Sequence, residues 1–202
     1  MSSKNKHYKP SPQLFAAGLA LNDNNIEFIG NKADQTVVWI RNGSANAFKN
    51  LPGHIFKKLK EAYEADLEAS KIFSIFFPNI IDTTRKVELY TYYVYGDLNN
   101  TPDVIDGELQ PSENFREKDD CISLKFTNKC IDFKGTPLHT RYIKMIDAWS
   151  KGRLDKNIAT DILAVSHSTY DFHKSKLFKI LEVQSKPEAV AVAYKHHILC
   201  AE

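Results

Sequence analysis

Hydrophobic and polar positions in the first half of the chain form two kinds of pattern, one typical of helices and one typical of strands. Ser11 before Pro12 is typical of a helix start, so the sequence predicts a short apolar helix over residues 12–21, behind a polar tail of 11 residues. Residues 26–28 and 36–40 are apolar runs that predict strands. Between residues 52 and 76, apolar positions recur at helical spacing among lysines and glutamates, which predicts one long amphipathic helix.

Four further segments of the N-terminal part are interpreted from their patterns. Asn42-Gly43 predicts a tight turn. Residues 87–93 alternate with a period of two, which predicts a tyrosine-rich strand whose tyrosines belong to a sheet core, with a ligand pocket or a dimer contact as alternatives. Residues 96–119 are polar, so they form either a functional loop or short hidden elements. Residues 121–126 and 130–133 predict a hairpin.

The last third of the chain predicts four short helices. The first spans residues 140–151 and ends before Gly152, which suits the positive φ common after helix C-termini. Asp155 is expected to cap the second helix, and Ser166 the third, which continues to Leu181. Residues 163–165 form the turn between them, and Pro187 opens the fourth helix. The residues expected to form the shared core are Ile143, Ile146, Trp149, Ile158, Ala159, Ile162, Tyr170, Leu177, Leu181, Ala189, Val190 and Ala193.

The order and spacing of residues 137–199 resemble the LuxR/GerE-type helix-turn-helix domain of bacterial transcription regulators. The segments that carry the resemblance are GRLDKNIA at 152–159, VSHST at 165–169, HK at 173–174 and KPEAV at 186–190. The resemblance implies an all-α, four-helix domain of the winged-helix-like superfamily. Such a domain binds double-stranded DNA without catalysis and places its third helix in the major groove.

The fold class expected from these patterns is an α+β N-terminal domain followed by an all-α helix-turn-helix domain. The first, residues 1–133, would sense a signal or assemble a dimer, and the second, residues 134–202, would bind DNA. The C-terminal part holds 11 Lys and Arg against 7 Asp and Glu, a net charge of +4, while the N-terminal part has a net charge of −2. This mild basic bias permits nucleic-acid binding without establishing it.

The resemblance also implies which side chains meet DNA. The face of the third helix opposite its core presents candidates for base contacts, and neighbouring hydroxyls, lysines and helix N-termini reach phosphates. The predicted DNA-binding residues are Arg141, Lys156, Ser166, Ser168, Thr169, Asp171, Phe172, Lys174, Ser175, Lys176 and Lys179. The alternative for the lysines is a solvated helix face without a ligand.

Three positions depart from the family pattern. Tyr142 stands where the family has a glutamate, so an expected salt bridge is missing. Glu182 stands where the third helix usually ends at glycine, which predicts a different cap. Asp171 occupies a position that is often basic; it either accepts a hydrogen bond from a cytosine amino group or only weakens nonspecific binding.

No second chemistry is predicted. Cys121, Cys130 and His139 match no common zinc spacing, so we expect free thiols, no metal site and no cofactor. Paired catalytic residues and phosphate loops are not recognised, so we expect no enzyme. With three cysteines and no long apolar run, the sequence favours a soluble cytoplasmic protein. The predicted partners are double-stranded DNA, a second copy in a homodimer and an unknown effector at the N-terminal domain. The alternative function is an adaptor whose helix-turn-helix domain has lost DNA binding.

Overall fold

The computed structural model describes residues 16–199. The predicted helix over residues 12–21 falls partly outside this range, and its remainder, residues 16–21, forms turns rather than a helix. Gly18 explains why the chain turns here, since its φ of +74° is a left-handed conformation that side chains disfavour. A Cβ at this glycine would also lie only 2.5 Å from the Ile40 carbonyl oxygen.

Three antiparallel strands open the described chain. Strands β1 (Glu27–Asn31), β2 (Thr36–Arg41) and β3 (Ser44–Ala47) pair in the order β1-β2-β3. The predicted strands at 26–28 and 36–40 are therefore confirmed. The predicted turn at Asn42-Gly43 joins β2 to β3, and both of its residues have positive φ, as tight hairpin turns require.

The long helix predicted over residues 52–76 is two helices, α1 (Gly53–Ala65) and α2 (Leu67–Phe76), so this prediction was wrong in its continuity. They meet at Asp66, which is fully buried. Its carboxylate accepts the backbone N–H of Ala69 and thereby caps α2. The same carboxylate accepts two further backbone N–H groups, from Thr127 and Asn128 at 3.0 and 2.9 Å. The break thus gives a distant segment its hydrogen-bond acceptor.

The strand predicted over residues 87–93 is wrong: this segment lies inside helix α3 (Thr83–Tyr95). Asp82 caps the helix by accepting the Arg85 N–H at 2.9 Å. Every residue from Leu89 to Tyr95 is buried, because α3 packs on the sheet on one side and against α1 on another. A helix buried all round loses the polar stripe that reveals helical spacing, so its alternation imitates a strand. The tyrosines form a helical core, not a sheet core.

The polar stretch after α3 contains short elements, one of the two alternatives expected for it. Strands β4 (Val104–Ile105) and β5 (Glu108–Leu109) pair as a small hairpin. The hairpin predicted between residues 121–126 and 130–133 is wrong, because Ile122–Lys125 forms a 3₁₀ turn. The real hairpin pairs β6 (Asp132–Phe133) with β7 (Thr136–Pro137) around a Lys134-Gly135 turn.

The C-terminal helices follow the predicted order. Helix α4 (Thr140–Ser150) precedes a short helix α5 (Asp155–Asn157), which continues as a π-helical turn, Ile158–Ile162. Helices α6 (His167–Leu181) and α7 (Lys186–Lys195) complete the series. The predicted shared core is buried except at two positions: Ile162 is 36% exposed and Val190 is half-buried. Ile162 leaves the core because the wider π-helical turn rotates it outward.

Two hydrophobic clusters organise the molecule. One comprises buried residues between Ile26 and Phe126, including Trp39, and the other comprises buried residues between Ile131 and Leu199. The described chain thus has an α+β part followed by a helical part, as the sequence predicts. None of its helices within residues 16–199 combines the length and apolarity that a bilayer crossing requires.

Candidate nucleic-acid interface

Helix α6 begins at a capped turn and packs one stripe into the C-terminal core. Ser166 Oγ accepts the Thr169 N–H at 3.2 Å and lies within hydrogen-bond distance of the Ser168 and Thr169 hydroxyls. This cap agrees with the prediction for Ser166. Tyr170, Leu177 and Leu181 are each at most 1% exposed and form the inner face. The inner stripe fixes which side chains α6 turns toward solvent.

The outer face of α6 carries a stripe of exposed side chains at helical spacing. Ser168, Phe172, Ser175, Lys176 and Lys179 are all exposed, and apart from the adjacent pair Ser175 and Lys176 they follow one another at intervals of three or four residues. Phe172 is 64% exposed, which is unusual for a large aromatic side chain. Among residues 16–199, neither Lys176 nor Lys179 forms an ion pair. We call these five residues the α6 stripe.

Lys174 does not belong to the α6 stripe. Its ammonium pairs with Asp155 at 3.1 Å and with Asp171 at 2.7 Å, and it lies over the Tyr170 ring. Because two carboxylates already neutralise Lys174, the phosphate contact expected from it has no free cation in this structure. The side chain instead ties α6 to the helix before it.

Asp155 joins three helices, which differs from its predicted role as a cap. Leu154 holds the N-cap position, without a side-chain hydrogen bond. The Asp155 carboxylate accepts from Tyr170 Oη at 2.5 Å and pairs with Lys174 and with Lys186 of α7. Burial acts to raise the pKa of Asp155, but its three donors outweigh burial and lower the pKa to about 2. We call Asp155 and its donors the Asp155 clamp.

Asp171 is half-buried beside the α6 stripe. The hydrogen bond from Lys174 lowers its pKa, so the carboxylate is ionised at neutral pH. His167, one turn earlier, lies 4.0 Å from its Oδ2. Asp171 therefore has a cationic partner, Lys174, on its own helix. Its negative charge is compensated in part before any ligand arrives.

A cationic cavity of about 300 Å³ borders the α6 stripe. It is lined by His139, Arg141 and Lys144 from the start of α4, by the turn before α6, and by His173. Arg141 Nη1 lies 2.8 Å from His173 Nε2. Burial lowers the pKa of His173, and the positive charges of Arg141 and Lys176 lower it further. His173 thus reports a local positive potential next to the exposed lysines.

The remaining sequence-predicted positions are placed as follows. Lys156 is exposed on α5, before the turn, and Thr169 is exposed in the first turn of α6. Tyr142, which stands where the LuxR/GerE-type pattern has a glutamate, is buried with its ring 6.0 Å from that of His173. Packing therefore occupies the position of the missing salt bridge.

The expectation of a different cap at the end of α6 is wrong. Glu182 itself adopts the left-handed conformation, with φ of 58°. Val183 N–H donates to the Phe178 carbonyl at 3.0 Å and Glu182 N–H to the Lys179 carbonyl, which is the Schellman hydrogen-bond pattern. The glycine-type cap is thus retained without glycine, at a steric cost to Glu182.

Sequence reasoning missed two groups of ionisable side chains that the fold brings together. The first is the ion pair between Arg116 and Asp147. The second is a carboxylate cluster of Glu27, Asp103 and Glu113 in the N-terminal part. Burial raises the pKa of Glu27 to about 9 and that of Glu113 to about 8. In the sequence these residues stand in unrelated segments, so no spacing pattern reveals them.

Comparison with known proteins returned no match to a protein-family model, to a curated protein or to a solved structure.

Proposed function

We propose that the protein is a DNA-binding transcription regulator whose helix α6 enters the major groove. The observation that carries the proposal is the α6 stripe: an exposed aromatic ring, hydroxyls and two free lysines on the outer face of the second helix of a helix-turn-helix arrangement. Such a helix offers hydrogen-bonding groups to base edges and cations to the backbone. The cationic cavity next to the stripe adds Arg141 and Lys144 as phosphate contacts.

The lysines of the α6 stripe contact DNA, whereas the lysines of the Asp155 clamp have a structural role. Lys176 and Lys179 reach phosphates or bases. Lys174 holds α6 against Asp155 of α5, to which Lys186 also ties α7, and the Asp155 clamp so fixes the angle of the groove-facing helix. We propose homodimerisation as well, because one short helix reads few base pairs and two half-sites multiply specificity.

Fluorescence anisotropy with labelled genomic DNA fragments tests the proposal. We expect binding whose affinity falls steeply between about 50 and about 200 mM salt, because cation contacts release counterions. Lys179→Ala and Lys176→Ala should each weaken binding to all sequences and reduce the magnitude of the salt slope by about 1. The matched control is Lys57→Ala on α1, an exposed lysine outside the interface, which should change neither. Absence of binding at about 50 mM salt overturns the proposal.

Asp171→Asn separates the two roles open to that residue. If Asp171 reads a base, the variant changes the ranking of DNA sequences. If it only repels phosphate, the variant binds every sequence more tightly. Lys174 keeps its Asp155 partner in this variant, so the Asp155 clamp remains.

A second candidate function is a protein-interaction adaptor. One observation favours it: the pairing of Lys174 with Asp155 and Asp171 removes a cation from the presumed groove side. Under this alternative the exposed Phe172 anchors a protein partner. Binding to DNA fragments would then be absent, and Phe172→Ala would abolish partner capture while Lys179→Ala would have little effect.

A further inference from the structure

Three carboxylates from distant segments converge in the N-terminal part of the molecule. Glu27 lies on β1, Asp103 immediately precedes β4, and Glu113 follows β5. One oxygen of each lies within 4.8 Å of an oxygen of the other two. The fold therefore assembles this cluster from one residue on a strand and two residues in the polar stretch after α3.

Glu27 is fully buried, and one of its carboxylate oxygens has no protein partner. Oε1 accepts the Asn99 N–H at 2.8 Å, whereas Oε2 accepts no hydrogen bond from any residue between 16 and 199. A buried carboxylate oxygen without a donor or cation is costly, since nothing replaces its lost hydration. This oxygen belongs to the carboxylate that lies beside Asp103 and Glu113. Its lack of a partner points to a ligand that the protein itself does not supply.

The other two carboxylates are partly held by backbone groups. Asp103, 2% exposed, accepts the Phe28 N–H through Oδ2 at 2.7 Å. Glu113 accepts the Asp97 N–H through Oε2 at 2.9 Å, and its Oε1 accepts from the Asn99 side chain. These bonds orient the carboxylates, and each oxygen retains further lone pairs for a cation.

The fully ionised form of the cluster requires two more positive charges than the protein supplies through Lys129. Lys129 is buried and interacts electrostatically with Glu113 and Asp103, while its ammonium donates to the Val94 carbonyl at 3.4 Å. Asp97 lies beside the cluster, with its Oδ2 2.7 Å from His197 Nδ1, and its negative charge further raises the pKa of Glu27 and of Glu113. Burial holds the pKa of all three cluster carboxyl groups above the ordinary value. A bound divalent cation would favour their ionised form, and the three carboxylates with one ammonium would then carry a net charge of −2, which the ion balances.

The cluster is reachable from solvent. Asp103 and Glu113 line an open cavity of about 440 Å³, together with Asp97, Asn99 and His197. Glu27 stands behind these two carboxylates as the innermost member. An ion thus has an entry path and space for its remaining water ligands.

We propose that Glu27, Asp103 and Glu113 bind a hard divalent cation, Ca²⁺ or Mg²⁺. The ligand set consists of carboxylate oxygens alone, which these ions prefer. Oxygens separated by up to 4.8 Å fit around Ca²⁺, whose metal–oxygen distance is about 2.3 to 2.6 Å, whereas Mg²⁺, at about 2.0 to 2.1 Å, requires the carboxylates to move closer together. This site is separate from the α6 stripe, so the proposal does not depend on whether the protein binds DNA.

Metal titration of chelator-stripped full-length protein tests the proposal. With CaCl2 or MgCl2 at millimolar concentration we expect a concentration-dependent rise in Tm. Tb³⁺, a probe of calcium sites, should show luminescence sensitised by nearby tyrosines such as Tyr95, whose ionisation is coupled electrostatically to Asp103 and Glu113. Competition by Ca²⁺ or by Mg²⁺ then distinguishes which ion the site prefers.

Glu27→Gln should raise the apparent Kd for the metal by about tenfold or more, because it removes one charged ligand. Glu113→Gln, at a partly exposed position, repeats the test should the first variant fail to fold. The matched control is Glu108→Gln on β5, an exposed acidic residue paired with Lys58, which should leave metal binding unchanged. No Tm shift and no Tb³⁺ luminescence, an equal response in Glu27→Gln, or a response to Zn²⁺ alone overturns the proposal.

Discussion

The Arg116–Asp147 pair makes a quantitative prediction about how the two hydrophobic clusters are joined. Arg116 is 3% and Asp147 5% exposed, and the pair is bidentate, with N–O distances of 3.0 and 2.7 Å. The guanidinium also donates to the carbonyl oxygens of Asp119 and Ile198, at 3.0 and 2.5 Å. One side chain therefore links the polar stretch after α3 to helix α4 and to the segment that follows α7.

Replacing Arg116 with Met leaves Asp147 buried without its cation. Breaking a buried ion pair on one side costs about 3–5 kcal/mol, and the two carbonyls lose a charged donor as well. We therefore expect Arg116→Met to lower the free energy of unfolding by about 4 kcal/mol at pH 7. The double variant Arg116→Met/Asp147→Leu removes both charges and should cost about 1–2 kcal/mol, since only the carbonyls remain unsatisfied.

The pH dependence gives this prediction a second readout. Burial already raises the pKa of Asp147, and Arg116 counteracts that rise. Without Arg116 the folded-state pKa rises further above the unfolded value, so the penalty is small near pH 4 and grows as pH increases toward 7. Urea denaturation followed by tryptophan fluorescence measures both effects. The reasoning is refuted if the single variant loses less than about 1 kcal/mol, or if single and double variants lose equal amounts.

Two other predictions concern the C-terminal helices. Glu182→Gly should stabilise the protein by about 0.5–1 kcal/mol in urea denaturation, because relief of the left-handed strain exceeds the loss of an exposed ion pair with Lys134. Glu182→Ala keeps the strain and should show no gain. A gain in both variants would contradict this explanation. Asp155→Asn should destabilise by about 1–2 kcal/mol at pH 7, after allowance for solvent screening. Since the folded pKa of Asp155 lies near 2, that difference should persist above about pH 4 and vanish as pH falls toward 2; a pH-independent difference would argue against the Asp155 clamp.

The sequence predicted the C-terminal helices better than the N-terminal part, for a physical reason. Helix α6 buries one stripe, so its apolar spacing and its cap at Ser166 are legible in the chain. Helix α3 is buried on several sides, and its tyrosine-rich alternation carried no helical signal. Asp66 interrupts a regular apolar spacing without a proline or glycine, so the break between α1 and α2 was equally invisible.

The candidate sites show the same limit at the level of side chains. The α6 stripe followed from spacing along one helix, so its exposed members could be named in advance. The engagement of Lys174 could not, because Asp155 lies 19 residues away and on another helix. The carboxylate cluster could not be predicted from the sequence either, since Glu27 and Asp103 are brought together only by the fold. Local pattern predicts faces of helices, whereas tertiary structure decides which charges are free.

The buried Asp66 carboxylate has a consequence for the order in which the chain folds. Its acceptor positions are completed by backbone groups 61 and 62 residues later, between the two hydrophobic clusters. Closing a loop of that length costs about 3.6 kcal/mol in chain entropy, apart from a constant, so the closure must be supported by other contacts formed at the same time. During synthesis, the Asp66 carboxylate therefore lacks two of its three backbone donors until Thr127 and Asn128 emerge. We expect the join between the clusters to be one of the last features of the N-terminal part to become fixed.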